Sequence, residues 1–429
     1  MKLKNWGLYP FIDCDYYTFE NRKGLLQFIL KNKGYIPYGN GRSYGDSAIS
    51  KKLIFCKPYN QFLSFNEKED ILHCQSGVLL SEIINIFAPK GYFLKVVPGT
   101  KYITVGGAVA ADIHGKNHHI EGCFSQSVLE FNLMLPNGKV VKCSRTENSE
   151  LYKATCGGMG LTGIILDVKI KLMRISSLDI DQNIIKTKNL KETFDLFESL
   201  SNVPYSVAWI DCLTNDKNLG RSLLITGKFS ENSNLNFKER TKINIPFYLP
   251  SNMLNKYSVK TFNWFYYNRI IRKQTKSTVS FDSFFFPLDS LKNWNKIYGR
   301  KGFTQYQFIL PKKNSYDGLK EILKIISGSG QGTFLAVLKL YGKENQNYLS
   351  FPFEGYSLAL DFKIQNGLFS LLNIIDKIVL KYEGRIYLAK DVRVTKDVFE
   401  KGYNNINKFR AIREKYGMRD YLYSNQSIR

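Results

Sequence analysis

Three stretches of this 429-residue chain carry almost no side-chain bulk: YGNGRSYGDS at 38–47, VVPGTKYITVGGAVAADIHG at 96–115 and CGGMGLTGI at 156–164. Glycine costs a folding chain entropy and packs nothing, so runs of it must serve turns, tight backbone contacts or a ligand lying against the main chain. In the first stretch Gly39, Gly41 and Gly45 let successive N–H groups form a concave nest for a phosphate, with Arg42 adding charge; a plain turn would use the same residues. It is neither a GxGxxG nor a Walker A sequence. In the second, Gly99, Gly106 and Gly107, followed by Ala108, Ala110 and Ala111, leave room for a large flat ligand along the backbone. The third repeats the theme ahead of a strand. Together they favour one long nucleotide-type ligand over three unrelated turns.

The chain has four histidines, and His114, His118 and His119 fall together as HGKNHH at the end of the second stretch. His114 follows the small run directly and would stand near the reactive part of such a ligand. A metal would need a standard ligand spacing, which these histidines with Asp112 and Glu121 lack, so none is expected. A hydrogen-bonded structural cluster is the other reading.

A formal net charge of +24 points to an anionic partner: nucleic acid, acidic lipid or a phosphorylated substrate. The chain has no long Lys/Arg block and no nucleic-acid motif, so nucleic acid is not expected. Seven scattered cysteines without CxxC spacing support neither a disulfide framework nor a zinc site, and fit a reducing compartment. The start, MKLKNWGLYPFIDCD, lacks the apolar core of a signal peptide, and no run of about 18 apolar residues occurs. The expectation is a chain with no signal peptide and no transmembrane helix.

Length alone suggests two or three domains. Short alternating segments dominate the first 175 residues, with a hairpin at LPNGKVVK and a helix at LLSEIINIF, and read as an α+β module. From about 180 to 384, aromatic residues and longer apolar-periodic stretches signal a second domain. Within it, residues 244–276 mix aromatics with Lys256, Lys260, Arg269, Arg272, Lys273 and Lys276 without clean periodicity. Such a segment suits a membrane-surface contact, or a solvated loop with its aromatics tucked into the core.

At GNGRSYGD, PGTKYITVGGAVAADIHGKNHH and GGMGLTGII the chain resembles the flavin-binding segments of the vanillyl-alcohol-oxidase class of FAD enzymes. Within that class it is most similar to the decaprenylphosphoryl-β-D-ribose 2-oxidase family. The likeness runs on through WIDCLTNDKNLGR, FFFPLDSLKNWNKIYG, GFTQYQFILP, FLAVLKLYG, LSFPFEGYSLALDF and GRIYLAKDVR, nearly the whole chain.

The resemblance implies an α+β protein: a PCMH-type FAD-binding domain of two α+β subdomains, from residues 1–178 and 385–429, flanking a substrate domain at 179–384 with an antiparallel sheet and helices. It implies FAD contacts at Gly39, Asn40, Gly41, Arg42, Ser43, Tyr44, Gly45, Asp46, Gly99, Thr104, Val105, Gly106, Gly107, Ala111, Asp112, Ile113, His114, Ile165 and Tyr387. Lys390, Tyr387, Tyr44 and His114 are implied at the reaction centre, with Lys390 either a donor or, if burial lowers its pKa, a base. Gln305, Gln307, Lys339 and Lys390 are implied substrate contacts, and His118 and His119 are left structural. Ala359 departs from members that carry a cysteine there.

The implied reaction is FAD-dependent oxidation of the 2-hydroxyl of a polyprenyl-phosphoryl-β-D-ribose to the 2-keto sugar. This is the first half of an epimerisation to the arabinose form for cell-envelope polysaccharide. An aldonolactone or alditol oxidase of the same fold is the alternative. Implied partners are the polyprenyl-phosphate sugar, a separate short-chain NAD(P)H-dependent reductase and a peripheral membrane surface. The implied location is the bacterial cytoplasm or the inner membrane's surface.

Overall fold

The computed structural model describes residues 2–237, 240, 242–250 and 252–429. Near the start, strands Asp15–Thr18, Lys52–Phe55 and Tyr35–Tyr38 pair in parallel, in that spatial order. Helix Arg22–Lys31 connects the outer two. It starts where the Asn21 side chain accepts the Gly24 N–H, and it buries Leu25 and Ile29, one turn apart. Parallel strands end at a common edge, and Tyr35–Tyr38 runs from that edge straight into GNGRSYGD.

A second sheet orders its strands as Val140–Ser144, Val128–Met134, Ile164–Arg174, Ile71–Gln75 and Phe62–Asn66, all antiparallel. The hairpin expected at Asn137-Gly138 joins the first two, with Gly138 at φ 82°. Helix Leu80–Phe87, capped by the Glu82 carboxylate accepting the Leu79 N–H, packs on the sheet together with the short helix Val105–Ala110. Ile83, Ile84, Val105, Ala108 and Val109 meet Leu72, Phe131, Leu166 and Val168 in one core. The small residues of the second stretch therefore do two jobs. Their apolar members pack inward, while Gly106 and Gly107 keep the outer side of the turn bare.

The third sheet has eight strands: Gln274–Ser280, Asp179–Thr187, Ser222–Phe229, Tyr205–Ile210, Ala336–Tyr341, Gly355–Lys363, Phe303–Pro311 and Arg385–Ile386. Helices Lys312–Ser329 and Leu368–Lys381 cover one face of its central strands. Side chains alternate across a strand, so one period-two pattern sorts these strands. Tyr306, Phe308, Leu338, Leu358 and Leu360 face the helices in a common core. Their neighbours Gln305, Gln307, Lys339, Tyr341, Ser357, Ala359 and Asp361 therefore share the opposite face. The register brings Gln305 opposite Asp361, Gln307 opposite Ala359 and Lys339 opposite Ser357.

Residues 244–276 contain an ordered helix, Lys256–Asn268, which corrects the aperiodic reading. Asn255 caps it, and Val259, Asn263 and Tyr267, four residues apart, form its buried stripe. The stripe was hidden because its central member is polar: Asn263 donates to Asp211 and to the Thr333 carbonyl. The other face leaves Tyr257, Trp264 and Phe265 exposed. Among the described residues no helix is long and apolar enough to cross a membrane, and all seven cysteines are buried and outside any disulfide.

Candidate functional site

The GNGRSYG loop, the turn into helix Val105–Ala110, the third glycine segment and the turn after strand Arg385–Ile386 enclose a cleft of about 1050 Å³. Of the expected cofactor contacts, Gly39, Asn40, Gly41, Arg42, Ser43, Thr104, Gly106, Gly107, Ala111, Ile113, Ile165 and Tyr387 line it, and Lys390 stands at its wall. Two glycines have a steric reason to be there. Gly41 holds φ at 61°, and a Cβ on it would fall 2.2 Å from the Tyr38 hydroxyl. A Cβ on Gly106 would lie 2.8 Å from the Ser76 Cβ. Thr104 caps the short helix by accepting the Gly107 N–H.

Tyr44, Gly45, Asp46, Gly99, Val105, Asp112 and His114 do not line this cleft. Val105 is fully buried in the core. Gly45 is pressed against the backbone of Asp391, where any side chain would collide with the carbonyl oxygen. Asp46 pairs with Arg429. Asp112 accepts from the Ser125 N–H and from Asn345, Asn347 and Ser350. Gly99 faces open space. Tyr44 and His114 belong instead with the side chains on the polar face of the eight-stranded sheet, the lining of the proposed substrate pocket.

That pocket is where the sheet's polar face meets the cleft. Tyr387 joins the two by donating to the Ala111 carbonyl, while its own N–H binds the Gln307 carbonyl. His114 sits among the rings of Tyr341, Phe351 and Tyr387, with Gln307 Nε2 3.2 Å from its Nε2. Burial first, then Lys339, His118 and Lys390, holds it well below the ordinary histidine range, so it is neutral. The Lys390 ammonium lies 3.8 Å from the centre of the Tyr44 ring. Burial draws Lys390 down to about 7, against the opposing pull of Asp361.

Sequence reasoning missed Asp361 and Lys116. The Asp361 carboxyl is buried, accepts from Gln305 at 2.5 Å through Oδ1, and leaves Oδ2 without a partner; burial raises it to about 7. Lys116, half-buried against the Phe284 ring and donating to the Phe284 carbonyl, is drawn down to about 7, and Lys339 to about 8, both chiefly by desolvation. Strand alternation through Ala359 was the available signal for Asp361. Its position inside HGKNHH was the signal for Lys116. Three half-buried lysines, Lys116, Lys339 and Lys390, against the Asp361 carboxylate give the pocket a positive interior suited to an anionic group.

His118 packs against the Tyr341 ring that also touches His114, and His119 is bonded elsewhere. The Gly342 N–H binds His118 Nδ1 and Cys123 lies by its other nitrogen, while His119 Nε2 lies 2.9 Å from the Val203 carbonyl oxygen. Among the described residues no His, Cys, Asp and Glu cluster could hold a metal ion.

The cleft suits FAD by its unsatisfied donors as well as its bare backbone. Arg42 lies between the Trp6 and Tyr102 rings with Nε unpartnered, and Ser76 Oγ, on the same wall, is buried without a partner. Unmet polar groups of this kind cost about 1–3 kcal/mol each unless a ligand satisfies them.

Residues 25–144 match the FAD binding domain family. The chain is 34% identical over 395 residues to decaprenylphosphoryl-β-D-ribose oxidase of Mycolicibacterium smegmatis, covering 89% of this chain and 85% of that protein. It is 25% identical to D-arabinono-1,4-lactone oxidase of Candida glabrata over 45% of this chain and 38% of that protein. It is also 25% identical to L-gulonolactone oxidase of Bos taurus, over 42% and 40%. The likeness to the lactone oxidases covers less than half of the chain, whereas the likeness to the ribose oxidase covers 89% of it. The chain thus belongs to the decaprenylphosphoryl-β-D-ribose oxidase family and is an FAD-dependent oxidoreductase acting on a CH–OH group.

Proposed function

We propose that the protein oxidises the 2-hydroxyl of a polyprenyl-phosphoryl-β-D-ribose to the 2-keto sugar, opening an epimerisation to the arabinose form for cell-envelope polysaccharide. The observation that carries this reading is the pocket itself. Gln305 and Gln307, amides suited to sugar hydroxyls, share one sheet face with Lys339, and Lys116 adds a second half-buried cation suited to a phosphate. A neutral lactone or alditol would leave those cations without a purpose, so the lactone-oxidase alternative fits the pocket less well.

When bound, FAD supplies the hydride acceptor. Lys390 removes the hydroxyl proton: an amine drawn to about 7 is matched to general-base work at neutral pH. Asp361, buried nearby, stabilises the ammonium that results, and Gln305 holds its carboxyl in place. Tyr44 supports Lys390 from below with its ring face. His114 and Tyr387 shape the wall between pocket and cleft, with His114 contributing as a neutral group.

Two features suit a membrane-borne substrate. The exposed Tyr257, Trp264 and Phe265 of helix Lys256–Asn268, with Ile271 at 92% exposure beyond it, lie among Lys256, Lys260, Arg269, Arg272, Lys273 and Lys276. This favours peripheral attachment to the inner membrane of a bacterium. The chain's GxGxxG run, Gly158–Gly163, leads from helix Ser149–Thr155 into strand Ile164–Arg174 rather than from a strand into a helix, so it is no nicotinamide fingerprint, and reduction of the keto sugar falls to a separate short-chain NAD(P)H-dependent reductase.

Product analysis tests the reading. Turnover with the lipid-linked ribose should yield a product two hydrogens lighter, which borodeuteride converts to a ribose and arabinose mixture carrying deuterium at carbon 2. Deuterium at another carbon, or turnover of aldonolactones alone, would overturn it.

A further inference from the structure

A second cleft, of about 1850 Å³, lies back to back with the cofactor cleft. Met159 borders both. Leu388 and Asp391 face the second, while Ala389 and Lys390 face the first. Leu161, Leu388, Phe399 and Phe409 give the second cleft an apolar floor.

Its cations are not equally matched. Arg429 is paired with Asp46 and Asp391, and Arg410 with Glu400. Arg413 has no such partner: Nε donates to the Leu161 carbonyl and Nη2 to the Leu422 carbonyl. Those bonds use two of the five N–H donors of a guanidinium, and neutral carbonyls leave its charge unbalanced. Arg419 adds a like charge beside it, and burial, with that charge, draws Arg413 down to about 10. Glu414 and Asp420 also border the cleft, yet among the described residues no carboxylate comes within 4.0 Å of Arg413 or Arg419.

We infer that this cleft binds an anionic amphiphile, with the head on Arg413 and Arg419 and the hydrocarbon along Leu161, Leu388 and Phe409. An inorganic anion would leave the apolar floor wet, and an uncharged chain would leave the guanidinium unopposed. The inference is independent of the substrate reading.

The test uses the FAD-loaded whole chain and a dodecyl phosphate carrying a terminal diazirine, irradiated and mapped by peptide mass spectrometry. Adducts are expected on residues 159–161 or 396–420. Dodecyl phosphate should displace them, while dodecanol and inorganic phosphate at the same concentration should not. Arg419→Gln, at an exposed position that leaves the fold intact, and Arg413→Lys, which keeps the charge but loses the fork, should each weaken labelling about ten-fold. Adducts confined to the lysine-lined pocket or to residues 243–276 would overturn the inference. So would displacement by dodecanol or by inorganic phosphate as effective as by dodecyl phosphate, or labelling unchanged in the variants.

Discussion

In the proposed mechanism Lys390 and Asp361 set the chemistry at the scale of single residues, because each is drawn to about 7 chiefly by desolvation. Replacing Lys390 with Met should lower kcat by roughly 10²–10⁴ while the protein stays yellow. If KM rises and kcat holds, Lys390 is only a substrate contact. Asp361→Asn removes a charge that favours the ammonium, so the pKa of Lys390 falls further. The acidic limb of the kcat/KM profile should then move to lower pH by roughly one unit, and an unmoved limb would exclude Asp361 from the proton inventory. His118 makes a separate prediction about stability. Burial, then His119 and Lys339, lowers it to about 3, so below about 6.5 the unfolded chain takes up a proton the folded chain refuses. Stability is intact above that pH and is lost as pH falls, by up to about 1.4 kcal/mol per unit. His118→Asn should flatten the fall in Tm between pH 6.5 and 4.5, whatever its effect at pH 8. Asp361 itself was hard to find in the sequence, because YSLALDF reads as an apolar run whose polar face emerges only once the register with Gln305 is known.

At the scale of elements, the three glycine segments were the most legible part of the chain. They need bare backbone, and glycine is the residue that provides it. Gly160 and Gly163, within the third quoted segment, also line the cleft, although neither was taken for a contact. Val105 and Asp112 show the converse: adjacency to a ligand segment says little when Val105 turns into the core with Ala108 and Val109, and Asp112, just past the helix, is taken up by Ser125, Asn345, Asn347 and Ser350. Helix Lys256–Asn268 escaped notice because it carries apolar side chains on both faces, and a hydrophobic pattern records only contrast between faces. Its exposed aromatics yield the prediction at this scale. Trp264→Ser with Phe265→Ser should abolish co-sedimentation with anionic vesicles and leave activity on a detergent-solubilised substrate intact. Sedimentation unchanged in the double variant would move the membrane contact elsewhere.

On the whole molecule, +24 charges act over about 10 Å at 0.1 M salt, so vesicle binding should weaken several-fold between 0.05 and 0.5 M salt. The change of composition near residue 180 was legible because aromatic density rises where the eight-stranded sheet begins. No change of composition marks the return of the chain after residue 384, which the resemblance alone implied: strand Arg385–Ile386 pairs with that sheet, and Lys390 follows on the turn that packs against Tyr44. The proposed reaction centre is thus assembled from the two ends of the chain and its middle, which no local pattern records. Its central claim is most directly tested by anaerobic addition of polyprenyl-phosphoryl-β-D-ribose to the purified yellow protein. The visible absorbance of the flavin should bleach at one equivalent of lipid-linked sugar per protein and stay unchanged with gulonolactone. A yellow protein whose absorbance ignores the lipid-linked ribose would contradict the substrate assignment, and bleaching by the lactone alone would hand the site to the rival chemistry.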